Sequence, residues 1–127
     1  KGGMLPAAKI TQEIADIRHI PMGKDAISPA FHSKFSTIPE MVQFIEDMAL
    51  NTGIPVGIKS AVGKTEMWEE LAQYMAKTGK GPDFITIDGG EGGTGAAPHA
   101  FADHVSLPFN FGFTKIYKIF QKYILRR

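Results

Sequence analysis

Asp83-Phe84-Ile85-Thr86-Ile87-Asp88-Gly89-Gly90-Glu91-Gly92-Gly93-Thr94-Gly95-Ala96-Ala97-Pro98 is the stretch on which the reading of this 127-residue chain turns. Phe84 to Ile87 are strand formers with no polar face to spare, the pattern of a strand buried on both sides in a parallel sheet. The run ends on a carboxylate, Asp88, and five of the seven residues from Gly89 to Gly95 are glycine. A loop without side chains lets backbone N–H groups turn toward an anion or a flat ligand at close range. A glycine cluster alone reads equally well as a plain surface turn. Its place directly after a buried strand favours a loop that faces a ligand.

Upstream of this stretch, Thr65 opens a helix with the stripe Met67, Leu71 and Met75, flanked by Trp68 and Ala72, and Gly79 and Gly81 end it. Ile54-Pro55-Val56-Gly57-Ile58-Lys59 reads as a second buried strand. Thr37-Ile38-Pro39-Glu40 has the spacing of a capping box, with Pro39 tolerated in the first turn. Met41, Phe44, Ile45, Met48 and Ala49 follow at helical spacing up to Asn51-Thr52-Gly53. Earlier still, Ala26-Ile27-Ser28-Pro29 reads as a brief strand. Thr11 caps a short helix with Ile10, Ile14 and Ile17 on one face, closed by Pro21, and Lys1 to Pro6 is a glycine-led loop.

Downstream, the chain reads as irregular through His99, His104 and Pro108, then as a helix from about Thr114. Ile116, Ile119, Phe120, Tyr123 and Ile124 share one face, and Lys115, Lys118 and Lys122 lie on the other. Packing against a sheet is the expected use of that stripe, ahead of a membrane surface or a partner. Strands alternating with capped helices predict an α/β fold built on a parallel sheet. Ligands of such sheets meet the carboxyl ends of the strands. Lys59 and Asp88 are expected at two of those ends, and on neighbouring strands their backbones would stand about 4.8 Å apart.

Composition narrows the function. Apolar residues make up 43% and charged ones 21%, with a net charge of +1, which suits one globular domain and supplies no basic surface for nucleic acid. The chain has no cysteine, which removes disulfides, thiolate zinc sites, iron–sulfur clusters and cysteine nucleophiles. No metal is expected, because His32, His99 and His104 are unevenly spaced for ligation and suit loop packing better. No apolar run approaches a membrane span and no signal-peptide pattern opens the chain, so a cytoplasmic setting is expected. The opening on Lys1-Gly2-Gly3, without methionine, reads as a fragment.

Two motif readings of the site fall short. Gly63-Lys64-Thr65 between a strand and a helix suggests a phosphate-binding P-loop, but the position that must be glycine is Ile58, with Gly57 one residue too early. Gly90-Glu91-Gly92-Gly93-Thr94-Gly95 matches G-x-G-x-x-G after a strand, yet Pro98 follows where a helix must open, and the acidic second strand is missing.

A third reading rests on likeness. Gly2-Gly3-Met4-Leu5-Pro6-Ala7-Ala8-Lys9-Ile10, Ile27-Ser28-Pro29, Val56-Gly57-Ile58-Lys59 and Ile85 to Pro98 occur here in one order. Together they resemble the FMN-binding synthase domain of glutamate synthases, and above all the shorter bacterial and archaeal glutamate-synthase-like proteins, from Lys1 to about Lys122. The resemblance implies a (β/α)8 TIM barrel with FMN at the carboxyl face, reducing 2-iminoglutarate, formed from 2-oxoglutarate and ammonia, to glutamate. It implies Lys59 as the catalytic cation near the N1/C2=O edge of the flavin, where positive charge stabilises the reduced ring. Gly92 and Gly93 would line the cofactor floor. Thr94 and Gly95, with Lys9, would face the substrate. Asp88 and Glu91 would orient Lys59, carry protons, or simply cap loop amides.

A complete barrel needs about 250 residues and grips phosphate with the loops after its seventh and eighth strands. Residues 1–127 are therefore expected to form a partial domain, the central βα units of the barrel, that binds FMN weakly or not at all and does not turn over alone. Sheet edges and apolar surface left uncovered predict a homo-oligomer paired through those edges or through the final helix, the alternative being a non-catalytic, self-associating remnant.

Overall fold

Thr37 has an extended backbone, and its Oγ1 accepts the Glu40 N–H while the Glu40 carboxylate accepts the Thr37 N–H at 3.1 Å, so the expected capping box is closed. In the computed structural model, which describes residues 3–91 and 98–124, this box starts a helix. That helix is α2, Ile38–Thr52, and it ends on Gly53 in the left-handed region at φ 69°. The chain divides into two compact units, one from residues 1–30 and 92–105, the other from residues 31–91 and 106–127.

The first unit is built from short elements. Strand β1, Met4–Leu5, pairs antiparallel with β2, Ala26–Ile27, Met4 opposite Ile27. The expected brief strand at Ala26 is present, but it lies outside the parallel sheet, and its partner falls in the segment expected to be loop. A 3₁₀ turn, Ala7–Lys9, leads to α1, Gln12–Arg18, whose Thr11 hydroxyl accepts the Ile14 N–H. Ile10 is buried, but Ile17 is 71% exposed, so the expected three-residue face is not a buried one. Helix α4, His99–His104, follows Pro98 where an irregular chain is expected.

The second unit holds the parallel sheet. Strand β3, Ile58–Ala61, lies parallel to β4, Ile85–Asp88, in the register Ile58–Ile85, Lys59–Thr86, Ser60–Ile87, Ala61–Asp88. Helix α3, Glu66–Thr78, connects them, and α5, Phe109–Tyr123, follows β4. The fold is α/β, as expected.

Both strands begin later than their apolar runs. Asp83 explains why: its carboxylate accepts the Val56 N–H at 2.8 Å and its own N–H reaches the Val56 carbonyl at 3.0 Å, so Val56 and Asp83 close the sheet's entrance and are not rungs of its ladder. Ile54 and Phe84 are accordingly exposed. Nor is β4 buried on both sides. Ile85 and Ile87 pack against the core, whereas Thr86 faces outward and is exposed.

The core lies on that one side of the sheet. It joins Ile38, Met41, Val42 and Ile45 of α2, Val62 after β3, Trp68, Leu71 and Ala72 of α3, and Ile116 and Ile119 of α5. The α3 stripe is rotated from the expected one, because Trp68 and Leu71 are fully buried and Met67 is 37% exposed. Each large side chain taken out of water contributes about 1.5–3 kcal/mol. Helix α5 begins at Phe109, earlier than Thr114, and its lysines stay outside while Ile116 and Ile119 enter the core. The described helices include none long and apolar enough to cross a membrane.

The cap of α2 carries a pH signature. The Ser36 N–H, foremost, with the Ser36 hydroxyl and the Thr37 N–H, holds the Glu40 carboxyl below its ordinary value. The folded value lies under the unfolded one, so the stabilisation is complete above the ordinary carboxylate range, about pH 4, and fades as pH falls through the folded value. Glu40→Gln is expected to lower the Tm near neutrality and to converge with the parent in acid. Parallel thermal melts across pH check this; a Tm difference that persists unchanged into acid would show that the carboxylate charge is not the cause.

Candidate functional site

The register decides which side chains meet. Alternate residues of one strand share a face with their register partners on the next, so Lys59, Ala61, Thr86 and Asp88 stand together on the side of the sheet away from the core. Lys59 Nζ lies 2.8 Å from Asp88 Oδ2, with the two side chains 67% and 45% exposed. Asp88 is the last residue of β4, as expected for a strand end. Lys59 is not at a strand end: it is the second residue of β3, because that strand runs on to Ala61.

The chain beyond Asp88 is anchored by backbone. Gly90 N–H donates to the Leu107 carbonyl at 2.8 Å, and Leu107 N–H donates to the Val62 carbonyl at 2.7 Å, so the exits of both strands are tied to the entrance of α5. Gly90 has to be glycine, since a Cβ there would stand 2.6 Å from the backbone carbonyl of Ser106. Glu91 Oε1 accepts the Phe109 N–H at 2.8 Å and so caps the first turn of α5. Of the roles open to Glu91, amide capping is the one its position serves. Pro108, the N-cap residue, makes no side-chain cap of its own.

The remaining expected site residues lie elsewhere. Lys9 ends the 3₁₀ turn of the first unit and is exposed. Gly92, Gly93, Thr94 and Gly95 lie outside the described residues. His32 stacks on Phe35 with ring centroids 4.2 Å apart, in the loop-packing role expected of it. Among the described residues no group of three or more histidines and carboxylates is placed to hold a metal ion.

Asp83, Leu107 and the capping role of Glu91 escape a reading of motifs. Asp83 could have been found from its place immediately before the strand. The Glu91 and Leu107 contacts join segments far apart in sequence and leave no local signal.

Chemically, among the described residues the arrangement offers the Lys59 ammonium, ion-paired with Asp88, at the carboxyl end of a parallel sheet and on its exposed face. It suits a flat or elongated ligand with a negative edge.

Comparison with known proteins gives the family of the chain as a whole. Residues 1–127 match the family described as the conserved region in glutamate synthase. The chain is 44% identical over 126 residues to the glutamate synthase large subunit-like protein YerD of Bacillus subtilis, covering 99% of the chain but 24% of that protein. It is 41% identical over 113 residues to an archaeal-type glutamate synthase [NADPH] of Thermotoga maritima, covering 87% of the chain and 21% of the relative. It is 32% identical over 124 residues to the glutamate synthase [NADPH] large chain of Azospirillum brasilense, covering 94% of the chain and 8% of the relative. The chain thus spans about a quarter or less of the length of these curated relatives.

Proposed function

The chain belongs to the glutamate synthase family, and from that premise we propose that β3–α3–β4–α5 forms two consecutive βα units of an FMN-binding (β/α)8 barrel. The complete domain reduces 2-iminoglutarate, from 2-oxoglutarate and ammonia, to glutamate. One observation carries the reading: the parallel pair has its helices and core on one face only, while the other face presents Lys59 and Asp88 at its carboxyl end. That is the layering of a barrel wall, with helices outside and ligand-facing side chains at the carboxyl rim.

The residues fit the cofactor. Lys59 is an exposed cation that can face the N1/C2=O edge of a flavin. FMN, when bound, supplies the hydride chemistry. In the complete domain Lys59 would oppose negative charge on the ring; for Gly92 and Gly93 the family likeness implies the cofactor floor, and for Thr94, Gly95 and Lys9 the substrate side. The names of several relatives specify NADPH, which makes it the reductant to try first.

The 127 residues alone are expected to bind FMN weakly or not at all and to show no synthase activity, because phosphate grip in such barrels belongs to loops after later strands. Flavin titration and the absorbance of the purified chain check this. A yellow preparation carrying stoichiometric flavin would overturn it.

A second reading, self-association, has its own observation. Phe109, Phe113 and Tyr117 stack along the exposed side of α5 with centroids 5.5 and 6.0 Å apart, next to a groove lined by Phe84, Ile85 and Ile87 at β4. Exposed apolar stripes of this kind pair with a partner. A sedimentation profile that stays monomeric at high concentration would exclude the homo-oligomer.

A further inference from the structure

Lys59 starts two residues short of the end of β3, opposite Thr86, whereas Asp88 stands opposite Ala61 at the end of β4. Two residues of strand amount to about 6.6 Å. The ammonium nevertheless meets the Asp88 carboxylate at 2.8 Å, so the lysine stem runs forward along the open face. Ala61, the last residue of β3 and the next on that face after Lys59, carries only a methyl group and leaves the path clear.

We propose that Asp88 is the positioning residue for Lys59, drawing its ammonium from mid-strand to the carboxyl end of the sheet and holding it beside Gly89 and Gly90 as a fixed cation. The inference rests on the reading of Lys59 as the cation that faces the negative edge of the flavin. Three features support it. The register puts both side chains on one face, so the pair needs no distortion of either strand. The backbone just past Asp88 is fixed, with Gly90 bonded to Leu107 and Leu107 to Val62. The ammonium has three N–H donors, and a bond to Oδ2 uses one, leaving donors for a second anion. A lysine unrestrained at an exposed strand position would instead sample many rotamers and spend little time at the strand end.

The test uses the chain itself. An ordered lysine ammonium exchanges slowly enough to give a 1H–15N correlation in the cold, and Lys59→Met assigns it by its loss. Asp88→Asn and Asp88→Ala are expected to abolish that signal while far-UV dichroism stays unchanged. Asp88→Glu, which restores the charge, is expected to retain it. FMN is then titrated into parent, Lys59→Met and Asp88→Asn, and the two variants are expected to weaken any measurable affinity by a similar factor.

An ammonium signal that persists in Asp88→Asn, or that is absent from the parent, overturns the positioning role whatever the flavin does. If the ammonium results hold and Lys59→Met leaves a measurable flavin affinity unchanged, the flavin reading of Lys59 fails and the positioning role of Asp88 stands.

Discussion

Trp68→Ala is expected to bring the second unit to the edge of unfolding. Trp68 is 1% exposed and sits in one cluster with residues of α2, α3 and α5. Removing a buried indole loses its transfer free energy and leaves a cavity whose walls relax only in part, at a cost of about 3–5 kcal/mol. A domain of this size has about 5–15 kcal/mol in total, so one substitution consumes a large share. Urea unfolding followed by far-UV dichroism measures the loss. Met67→Ala, one residue earlier on the same helix, is the internal control: Met67 is 37% exposed, and its replacement is expected to stay within about 1 kcal/mol of the parent. Equal losses at the two positions would mean that α3 does not turn Trp68 inward.

Gly90→Ala is expected to cost about 1–3 kcal/mol, the usual price of forcing atoms into filled space. The added methyl would stand 2.6 Å from the Ser106 carbonyl and 2.7 Å from the Leu107 carbonyl oxygen. These are backbone atoms, so no rotamer change relieves the contact. The chain must move, and the 2.8 Å Gly90–Leu107 hydrogen bond is the first thing in its way. The expected result is a lower urea midpoint together with faster exchange of the Gly90 amide. An unchanged midpoint would show that the 106–107 backbone yields freely.

The fold was most legible where chemistry is local. Thr37-Ile38-Pro39-Glu40 spells its own cap, and Gly53 and Gly79 stop α2 and α3 in the left-handed conformation their sequence positions suggest. Strand limits were less legible, because an apolar run reads the same whether its residues lie in the ladder or just before it. The apolar runs extend back to Ile54 and Phe84, ahead of where the strands begin, and the deciding contact, Asp83 with Val56, links residues far apart in sequence. Helix α5 begins before its apolar stripe announces it for a similar reason: the carboxylate that caps it, Glu91, is remote in sequence. Strand β1 has only two residues and exists through a remote antiparallel partner, which no local pattern announces. Of the candidate site, Lys59 and Asp88 were legible as a pair of strand-linked charges. Their meeting is only one of several roles the sequence leaves open for Asp88, since it depends on register and on one lysine reaching forward along its strand.

The hydrogen bond between Gly90 and Leu107 also bears on how such a chain can change over generations. It fastens the two ends of the excursion that leaves the second unit after Glu91 and returns at Ser106. With both ends fastened, residues can be inserted or deleted between them without altering β4 or α5. The entropy of closing the excursion grows only with the logarithm of its length, about 0.6 kcal/mol for each doubling. Length changes between Pro98 and Ser106, outside the glycine loop read as part of the site, are therefore tolerated by the second unit so long as Gly90 and the backbone it touches stay fixed.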